Sequence, residues 1–222
     1  MSDDAVPIVW GVGTSRTMRV HWALCELGVD YESREIITRT ETMDDPAFLA
    51  ISRRGKIPIL EHADLVIGES GAIVNYLADH YTDRIRLAPT PATPERARFD
   101  EMCLFILMEL DAPLYVIRRH QGLPEIYGAS QTAVDAAEGY FRRQAGVIEE
   151  WLASKGPYLM GSEFCGADLL LGTCTAWAQF VGIKLSDPLV SHLALVQDRE
   201  GFRQARERNF PPAALAALAQ SS

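Results

Sequence analysis

The 222-residue sequence lacks the two features that most directly mark a membrane or exported protein. No apolar run approaches the roughly 20 residues that a membrane-spanning helix needs. The first residues, Met1-Ser-Asp-Asp-Ala-Val-Pro, are acidic and contain no basic segment of the kind that opens a secretory signal. We therefore expect a cytoplasmic protein with no membrane partner.

Positive charge is also scarce. Lys and Arg number 21 against 30 Asp and Glu, which gives a formal net charge of −9 and an isoelectric point near 5.0. Proteins that follow a nucleic-acid backbone need a basic surface, because phosphate contacts supply much of their affinity. The sequence therefore predicts no nucleic-acid partner, although a single local anion site is compatible with this charge.

Cysteine motifs are the third absence. The four cysteines are scattered and form neither a Cys-x-x-Cys pair nor the spacing of a metal site. We expect a reduced, metal-free protein, and a dithiol redox mechanism is disfavoured. Otherwise the chain is typical of globular proteins, with 48% hydrophobic and 23% charged residues, and its length suits one large domain or two small ones.

The first eighty residues alternate strand and helix patterns. An apolar run at 8–10, closed by Gly11 and Gly13, predicts a buried strand, and the helical spacing that follows ends before Gly28. The later patterns predict a strand over 31–37, a helix over 46–51, an antiparallel pair at 57–60 and 65–67, and a helix capped by Ser70. The order βαβαββα predicts a small α/β domain.

Only helical patterns follow the proline-rich segment 83–93, which predicts a linker. One long helix is expected to bend near Pro113. Four further helices are predicted, one marked by apolar residues over 134–152 and the others over 168–181, 189–198 and 213–219. We predict an α/β plus all-α protein, with a first domain at 1–82, a linker at 83–93 and an all-helical bundle domain at 94–222.

The segment Gly13-Thr14-Ser15-Arg16 lies at the predicted start of the first helix. Unpaired N–H groups and the positive end of the helix dipole suit such a start to an anion or a thiolate. The hydroxyl of Thr14 or Ser15 could hydrogen-bond a thiolate, or it could simply cap the helix. A phosphate loop is disfavoured, because the segment has neither a third glycine nor Gly-Lys-Ser/Thr.

Two later segments could bind a peptide-like ligand. In Gly55-Lys56-Ile57-Pro58, a cis proline would turn backbone groups of Ile57 toward a cleft, whereas a trans proline would make an ordinary strand edge. In Gly68-Glu69-Ser70-Gly71, the helix start could hold a carboxylate while Glu69 pairs with an amine, or the segment could serve capping alone.

Asp168 carries two other interpretations. With Cys165 three residues earlier it resembles a helix capping box, which is a structural role. Ser70, Asp168 and His192 also follow the chain order of a hydrolase triad. The hydrolase interpretation is disfavoured, because its Gly-x-Ser-x-Gly motif is absent and Gly71 follows Ser70 directly.

Taken in order, these segments resemble the glutathione transferase superfamily over nearly the whole chain. The chain is more similar to the serine-type bacterial and plant branches, since no tyrosine precedes Tyr31. The resemblance rests on Ile8-Val-Trp, Ser15-Arg-Thr-Met-Arg-Val, Ala23-Leu-Cys-Glu-Leu-Gly-Val-Asp-Tyr31, Gly55-Lys-Ile-Pro-Ile-Leu60, Glu69-Ser-Gly-Ala-Ile-Val-Asn-Tyr-Leu77 and Ala167-Asp168. One departure is Cys165, which stands where the superfamily capping box has Ser or Thr.

The resemblance implies a thioredoxin-like first domain with Pro58 cis, a helical second domain that contributes the acceptor pocket, and a homodimer. It implies glutathione as the co-substrate. The backbone of Ile57 would pair with its cysteinyl part, and Lys56 would lie near its glycyl carboxylate. The remaining pair, Glu69 and Ser70, would hold its γ-glutamyl group.

The resemblance also implies that a hydroxyl at the start of the first helix stabilises the glutathione thiolate. Some branches place the serine at the position of Thr14 and others at that of Ser15, and Ser15 is preferred. The implied activity is transfer of a small hydrophobic electrophile to the glutathione sulfur, as in detoxification. The alternatives are a glutathione-dependent peroxidase or disulfide reductase and a non-catalytic binding protein of the same fold.

Overall fold

A computed structural model describes residues 5–219 and divides them into two compact units. One unit contains residues 5–86 and 199–219, and the other contains residues 87–198. Within the described range, no helix combines the length and apolar character that crossing a membrane requires.

The first unit is built on a four-stranded mixed sheet. Its elements are β1 (Ile8–Val12), α1 (Ser15–Leu27), β2 (Glu32–Ile37), α2 (Pro46–Ile51), β3 (Ile59–His62), β4 (Leu65–Gly68) and α3 (Ser70–His80). The strand order is β2-β1-β3-β4, in which β1 and β2 are parallel and the other neighbours are antiparallel. The predicted βαβαββα order is confirmed.

Burial in this unit follows the sequence patterns. Apolar side chains on one side of the sheet form a buried cluster that includes Trp10, Phe48 and Ile59. Helix α1 ends where the sequence predicts, because Gly28 adopts the left-handed conformation that closes its last turn (φ 63°). These contacts leave the loops at one end of β1 and β3 to carry the candidate site.

The second unit is entirely helical among its described elements. It contains α4 (Pro94–Phe105), α5 (Ala112–His120), α6 (Pro124–Tyr127), α7 (Gln131–Lys155), α8 (Gly166–Phe180) and α9 (Asp187–Gln197). The predicted bend near Pro113 appears as a π-helical stretch at Ile106–Asp111. Pro113 has no N–H and its ring crowds the carbonyl four residues earlier, so a regular helix is disfavoured there.

The last helices of the first unit are α10 (Glu200–Asn209) and α11 (Pro212–Ala219). No sequence pattern predicted α10, and the predicted all-helical domain 94–222 included both helices. The compact units therefore differ from the predicted boundaries. Within the predicted linker, Leu87 is fully buried and its carbonyl accepts the Gly166 N–H at 2.7 Å in the second unit.

Candidate active site

The turn between β1 and α1 places two hydroxyls at the helix start. Thr14 has extended backbone and is the capping residue, and its Oγ1 accepts the Thr17 N–H at 3.0 Å. Ser15 is the first helical residue. The first turn of α1 has no acidic side chain, so the positive end of its dipole is not neutralised from within the helix.

The two hydroxyls differ in what they already bind. The Thr17 hydroxyl, which has a single proton, donates to Asn209 Oδ1 with 2.6 Å between the two oxygens. Thr17 then accepts from the Thr14 hydroxyl, which lies 3.0 Å away, so the Thr14 proton is directed inward. The half-buried Ser15 has no hydrogen bond of its hydroxyl within residues 5–219. The geometry therefore distinguishes two residues that the sequence left equivalent.

The segment before β3 presents free backbone groups. The Ile57–Pro58 peptide bond is cis, as the resemblance implies. Within residues 5–219 the N–H and carbonyl of the half-buried Ile57 have no hydrogen-bond partner. Gly11 allows this segment to lie close to β1, because a Cβ there would be 2.5 Å from Ile57 Cβ. Its φ of 116° is also one that side chains rarely permit.

Lys56 is fixed through its backbone and open at its side chain. Its N–H donates to the Ser52 hydroxyl and its carbonyl accepts from that hydroxyl, both at 3.0 Å. The Lys56 ammonium is exposed, and it has no ion pair within the described part of the chain. Such a cation can take the carboxylate of a ligand.

Glu69, not Ser70, is the residue that precedes α3, so the predicted capping role of Ser70 is wrong. Ser70 is the first helical residue, and its hydroxyl accepts from Nη1 of the buried Arg19 at 3.2 Å. A hydrogen bond from a charged donor is stronger than a neutral capping bond, which explains the difference. The start of α3, which has no acidic residue in its first turn, thereby lies next to a buried positive charge.

The backbone of Glu69 is strained and its side chain is exposed. Its φ of 65° with ψ 109° is a conformation that costs a non-glycine residue about 1–3 kcal/mol. Its carboxylate pairs with Arg54, and both side chains are more than half exposed. Exposed ion pairs contribute little stability, so a ligand ammonium could replace Arg54 at small cost.

Sequence reasoning missed Arg19 and Arg54 as members of this site. Arg19 lies four residues after Ser15 and is fully buried within α1. The signal was a charged residue on the apolar face of a helix, which must find a partner when it is buried. Arg54 precedes Gly55 in a loop, and no local pattern connects it with Glu69.

A buried histidine supports the β1–α1 turn from behind. His21 Nε2 lies 3.1 Å from the Gly11 carbonyl and Nδ1 lies 2.8 Å from the Tyr31 hydroxyl. The carbonyl can only accept, so Nε2 carries the proton and Tyr31 donates to Nδ1. Burial, opposed by the hydrogen bond to the Gly11 carbonyl and assisted by the charge of the nearby Arg208, lowers the pKa of His21 to about 4. His21 is therefore a neutral support at physiological pH.

Three of the protein's four thiols are held in the protonated, weakly nucleophilic form. Burial raises the pKa of Cys25, that of Cys103 to about 12, and that of Cys165 well above its ordinary value. No disulfide joins the four cysteines, and no group of His, Cys, Asp and Glu in the described range could hold a metal ion. A reactive thiolate at this site would have to come from a bound ligand.

Asp168 and His192 are paired, but their environment is structural. Asp168 Oδ1 accepts from His192 Nε2 at 3.0 Å and from the Leu159 N–H at 2.8 Å. Asp168 Oδ2 accepts from the N–H and the thiol of Cys165 at 3.0 and 3.2 Å. The Asp168 and His192 side chains are both buried in the second unit. Ser70 belongs to the first unit and accepts from Arg19, so these contacts do not support a hydrolase triad. The capping interpretation is confirmed, with a thiol that donates to the acid.

Comparison with known proteins assigns the family. Residues 5–79 match the family model of the glutathione S-transferase N-terminal domain, and residues 105–197 match that of the C-terminal domain. These regions cover well over half of the sequence. The chain therefore belongs to the glutathione S-transferase family.

Individual relatives agree with this assignment. The glutathione S-transferase-like protein gedE of Aspergillus terreus is 30% identical over 72% of this chain and 74% of its own length. A glutathione transferase structure from Methylococcus capsulatus is 26% identical, has a TM-score of 0.83 and covers 92% of this chain and 98% of its own. A homologue from Lodderomyces elongisporus, solved with two GSH per subunit, shares the fold with a TM-score of 0.83 and 19% identity over 93% of this chain and 99% of its own.

Proposed function

We propose that this protein is a glutathione transferase in which the start of α1 stabilises the glutathione thiolate and the Ser15 hydroxyl donates to it. The observation that carries the proposal is the unengaged hydroxyl of Ser15 at a helix start with no acidic residue. Thr14 would serve chiefly as the capping residue, because its proton is directed to Thr17.

The rest of the site supports binding of the whole tripeptide. The unpaired backbone of Ile57, after which Pro58 opens β3, would pair with the cysteinyl part. The exposed Glu69 would take the α-ammonium, while Ser70 and the α3 N–H groups would take the adjacent carboxylate. Lys56 would face the glycyl carboxylate. Each proposed partner has the opposite charge or the complementary hydrogen-bonding group.

The energetic requirement is within reach of these groups. A free thiol has a pKa of about 8.5, and lowering it by two units corresponds to about 2.7 kcal/mol. A hydrogen bond to a charged group contributes about 1.5–3 kcal/mol and a helix start about 0.3–1 kcal/mol. The thiolate would then form a bond to an electrophilic carbon of a small hydrophobic acceptor and displace its leaving group.

Several properties of the family extend this proposal. We expect the helical domain that begins at residue 94 to contribute the acceptor pocket, and we expect a homodimer with a cytoplasmic, detoxifying role. Peroxide and disulfide acceptors require the same thiolate, and a non-catalytic member would bind glutathione without activating it. These alternatives differ from transfer in what the bound thiol does.

Titration calorimetry with glutathione tests the binding half of the proposal. Glu69→Gln should weaken binding about tenfold, because it removes the charge that faces the ammonium. Glu35→Gln is the matched control, since Glu35 is also exposed and lies on β2 away from the site. Absence of binding to the unaltered protein would contradict the proposal.

Acceptor assays test the chemical half. An aromatic halide such as 1-chloro-2,4-dinitrobenzene should yield a glutathione conjugate in a reaction that depends on Ser15. Hydrogen peroxide and a glutathione mixed disulfide should be tested beside it. Turnover of these two alone would replace the transferase by a peroxidase or reductase, and turnover of none with intact binding would indicate a non-catalytic protein.

A further inference from the structure

Asn209, the last residue of α10, joins the C-terminal segment to the β1–α1 turn. It is completely buried. Its backbone carbonyl accepts the Gly13 N–H at 2.7 Å, and its side-chain amide donates to the Thr14 carbonyl at 3.1 Å. Its Oδ1 accepts from the Thr17 hydroxyl at 2.6 Å. One residue thus holds Gly13 and Thr14 before Ser15 and Thr17 two residues after it.

The Oδ1 contact also sets the direction of the hydroxyl protons. Because Thr17 gives its proton to Asn209, it is free to accept the proton of Thr14. Without Asn209, the Thr17 hydroxyl could donate to the Thr14 carbonyl at 2.9 Å or to the Thr14 hydroxyl at 3.0 Å, and the second choice would release the Thr14 proton. The amide therefore both fixes the turn and keeps the Thr14 proton away from a ligand, which leaves Ser15 as the outward donor.

Separate contacts attach the other end of α10 to α1. Arg199, immediately before α10, donates twice to Glu26, at 2.8 and 2.7 Å. Phe202 packs edge-on against the buried Trp22 with ring centroids 4.9 Å apart. These contacts hold the helix in place without touching the turn, so the two functions of α10 can be separated by mutation.

We infer that Asn209 is a positioning residue for the glutathione thiolate: it acts through the β1–α1 turn by directing Ser15 toward the sulfur. This inference rests on the proposed function and deepens it, because it makes thiolate activation depend on a residue near the far end of the chain. A misplacement of a catalytic group by about 1 Å can lower the rate about a hundredfold. The pKa of the bound thiol is therefore the property that Asn209 should control.

The test compares three variants by ultraviolet titration of the thiolate of bound glutathione. Asn209→Ala removes the amide and should raise the thiol pKa by about half a unit or more, with about a tenfold loss of kcat/KM. Asn209→Asp keeps the size and one acceptor but loses the donor to Thr14 when it is ionised. It should raise the thiol pKa at least as far, because a carboxylate near the turn disfavours a second negative charge.

Phe202→Ala is the control for a purely structural role. It loosens α10 on α1 through the Trp22 contact and leaves the groups around Ser15 in place. It should lower the free energy of unfolding while the bound thiol keeps its pKa. If Phe202→Ala raises the pKa as much as the Asn209 variants do, Asn209 is only an anchor and the inference is wrong.

The remaining outcomes separate the inference from the function on which it rests. A lowered thiol pKa in the unaltered protein that both Asn209 variants retain would overturn the inference and leave the proposed function intact. An ordinary thiol pKa in the unaltered protein would overturn the proposed function and the inference together. Should Asn209→Ala fail to fold, Asn209→Ser supplies the comparison, because it removes the amide donor to Thr14 without adding a charge.

Discussion

The N-termini of α1 and α8 both have a capping box, but their surroundings are opposite in charge and hydrogen bonding. At α8, the carboxylate of Asp168 accepts four hydrogen bonds and is completely buried. At α1, the first turn has no acid, the Thr14 cap bonds to Thr17, and the Ser15 hydroxyl has no hydrogen-bond partner within the described range. The N-terminus of α8 is therefore neutralised by an acid of its own chain, whereas that of α1 is open to a negative charge on a ligand.

The difference shows which property separates structure from function at a helix start. Both starts have a polar residue that satisfies backbone groups, so capping by itself does not distinguish them. What distinguishes them is whether the positive end of the dipole has already been neutralised. The buried residues His21 and Asn209 support the α1 start from inside, so its outer face can stay open without loss of order.

Asp168→Ala should remove the acid that neutralises the N-terminus of α8, and it should give the largest loss of stability. It leaves three donors and a buried imidazole without their acceptor, which we expect to cost about 3–5 kcal/mol in the free energy of unfolding. Urea denaturation measures this loss. The control is Asp187→Ala, an exposed acid in the first turn of α9, for which the expected cost is below about 1 kcal/mol. Equal losses of stability in the two variants would mean that the four hydrogen bonds of Asp168 contribute no more than an exposed acid at a helix N-terminus.

His21 tests the buried hydrogen bonds that support the β1–α1 turn. The folded protein holds its pKa at about 4, whereas the unfolded chain has the ordinary 6.5. Between these values the unfolded chain binds a proton that the folded protein excludes, so stability falls as the pH falls. From neutral pH to about pH 5 the loss should be about 2 kcal/mol.

His21→Gln should remove most of this pH dependence while keeping one donor and one acceptor. His120→Gln is the control, because the His120 ring lies at the surface with a bond to the Gly128 carbonyl. Urea denaturation near pH 7 and pH 5 checks both variants. A pH dependence that survives His21→Gln would show that other groups cause the acid sensitivity.

Thr14→Ala gives the smallest expected effect and sharpens the division of labour at α1. Loss of its cap should cost about 1 kcal/mol of stability. The bound thiol should show a smaller change in pKa than it does for Ser15→Ala, since the Thr14 proton is directed to Thr17. Thermal unfolding and thiol titration of the same sample check both expectations. A larger pKa change for Thr14→Ala than for Ser15→Ala would mean that Thr14, and not Ser15, is the main donor to the thiolate.

The elements that form the sheet could be predicted because their patterns are local. Apolar runs bounded by glycine, such as the one before Gly11, and the closing glycine at Gly28 follow from backbone geometry alone. The proposed binding segments were found because Lys56, Glu69 and their neighbours lie in order along the chain. Their relation to one another came from the resemblance and not from local pattern.

The rest depended on distant contacts. Helix α10 has little apolar surface, and it is attached through Arg199, Phe202 and Asn209 to partners more than 170 residues earlier. The capping role of Ser70 was predicted wrongly because its hydroxyl accepts a hydrogen bond from Arg19 of α1. A single sequence shows no signal for such pairs, so the support of the site is visible only in the folded protein.

The central claim is that the start of α1 activates the glutathione thiol through Ser15. The most direct measurement is a pH titration of the ultraviolet thiolate absorbance of glutathione bound to the unaltered protein and to Ser15→Ala. We predict a pKa well below that of free glutathione in the unaltered protein and a rise of about 1–2 units in the variant. A lowered pKa that Ser15→Ala leaves unchanged would contradict the claim.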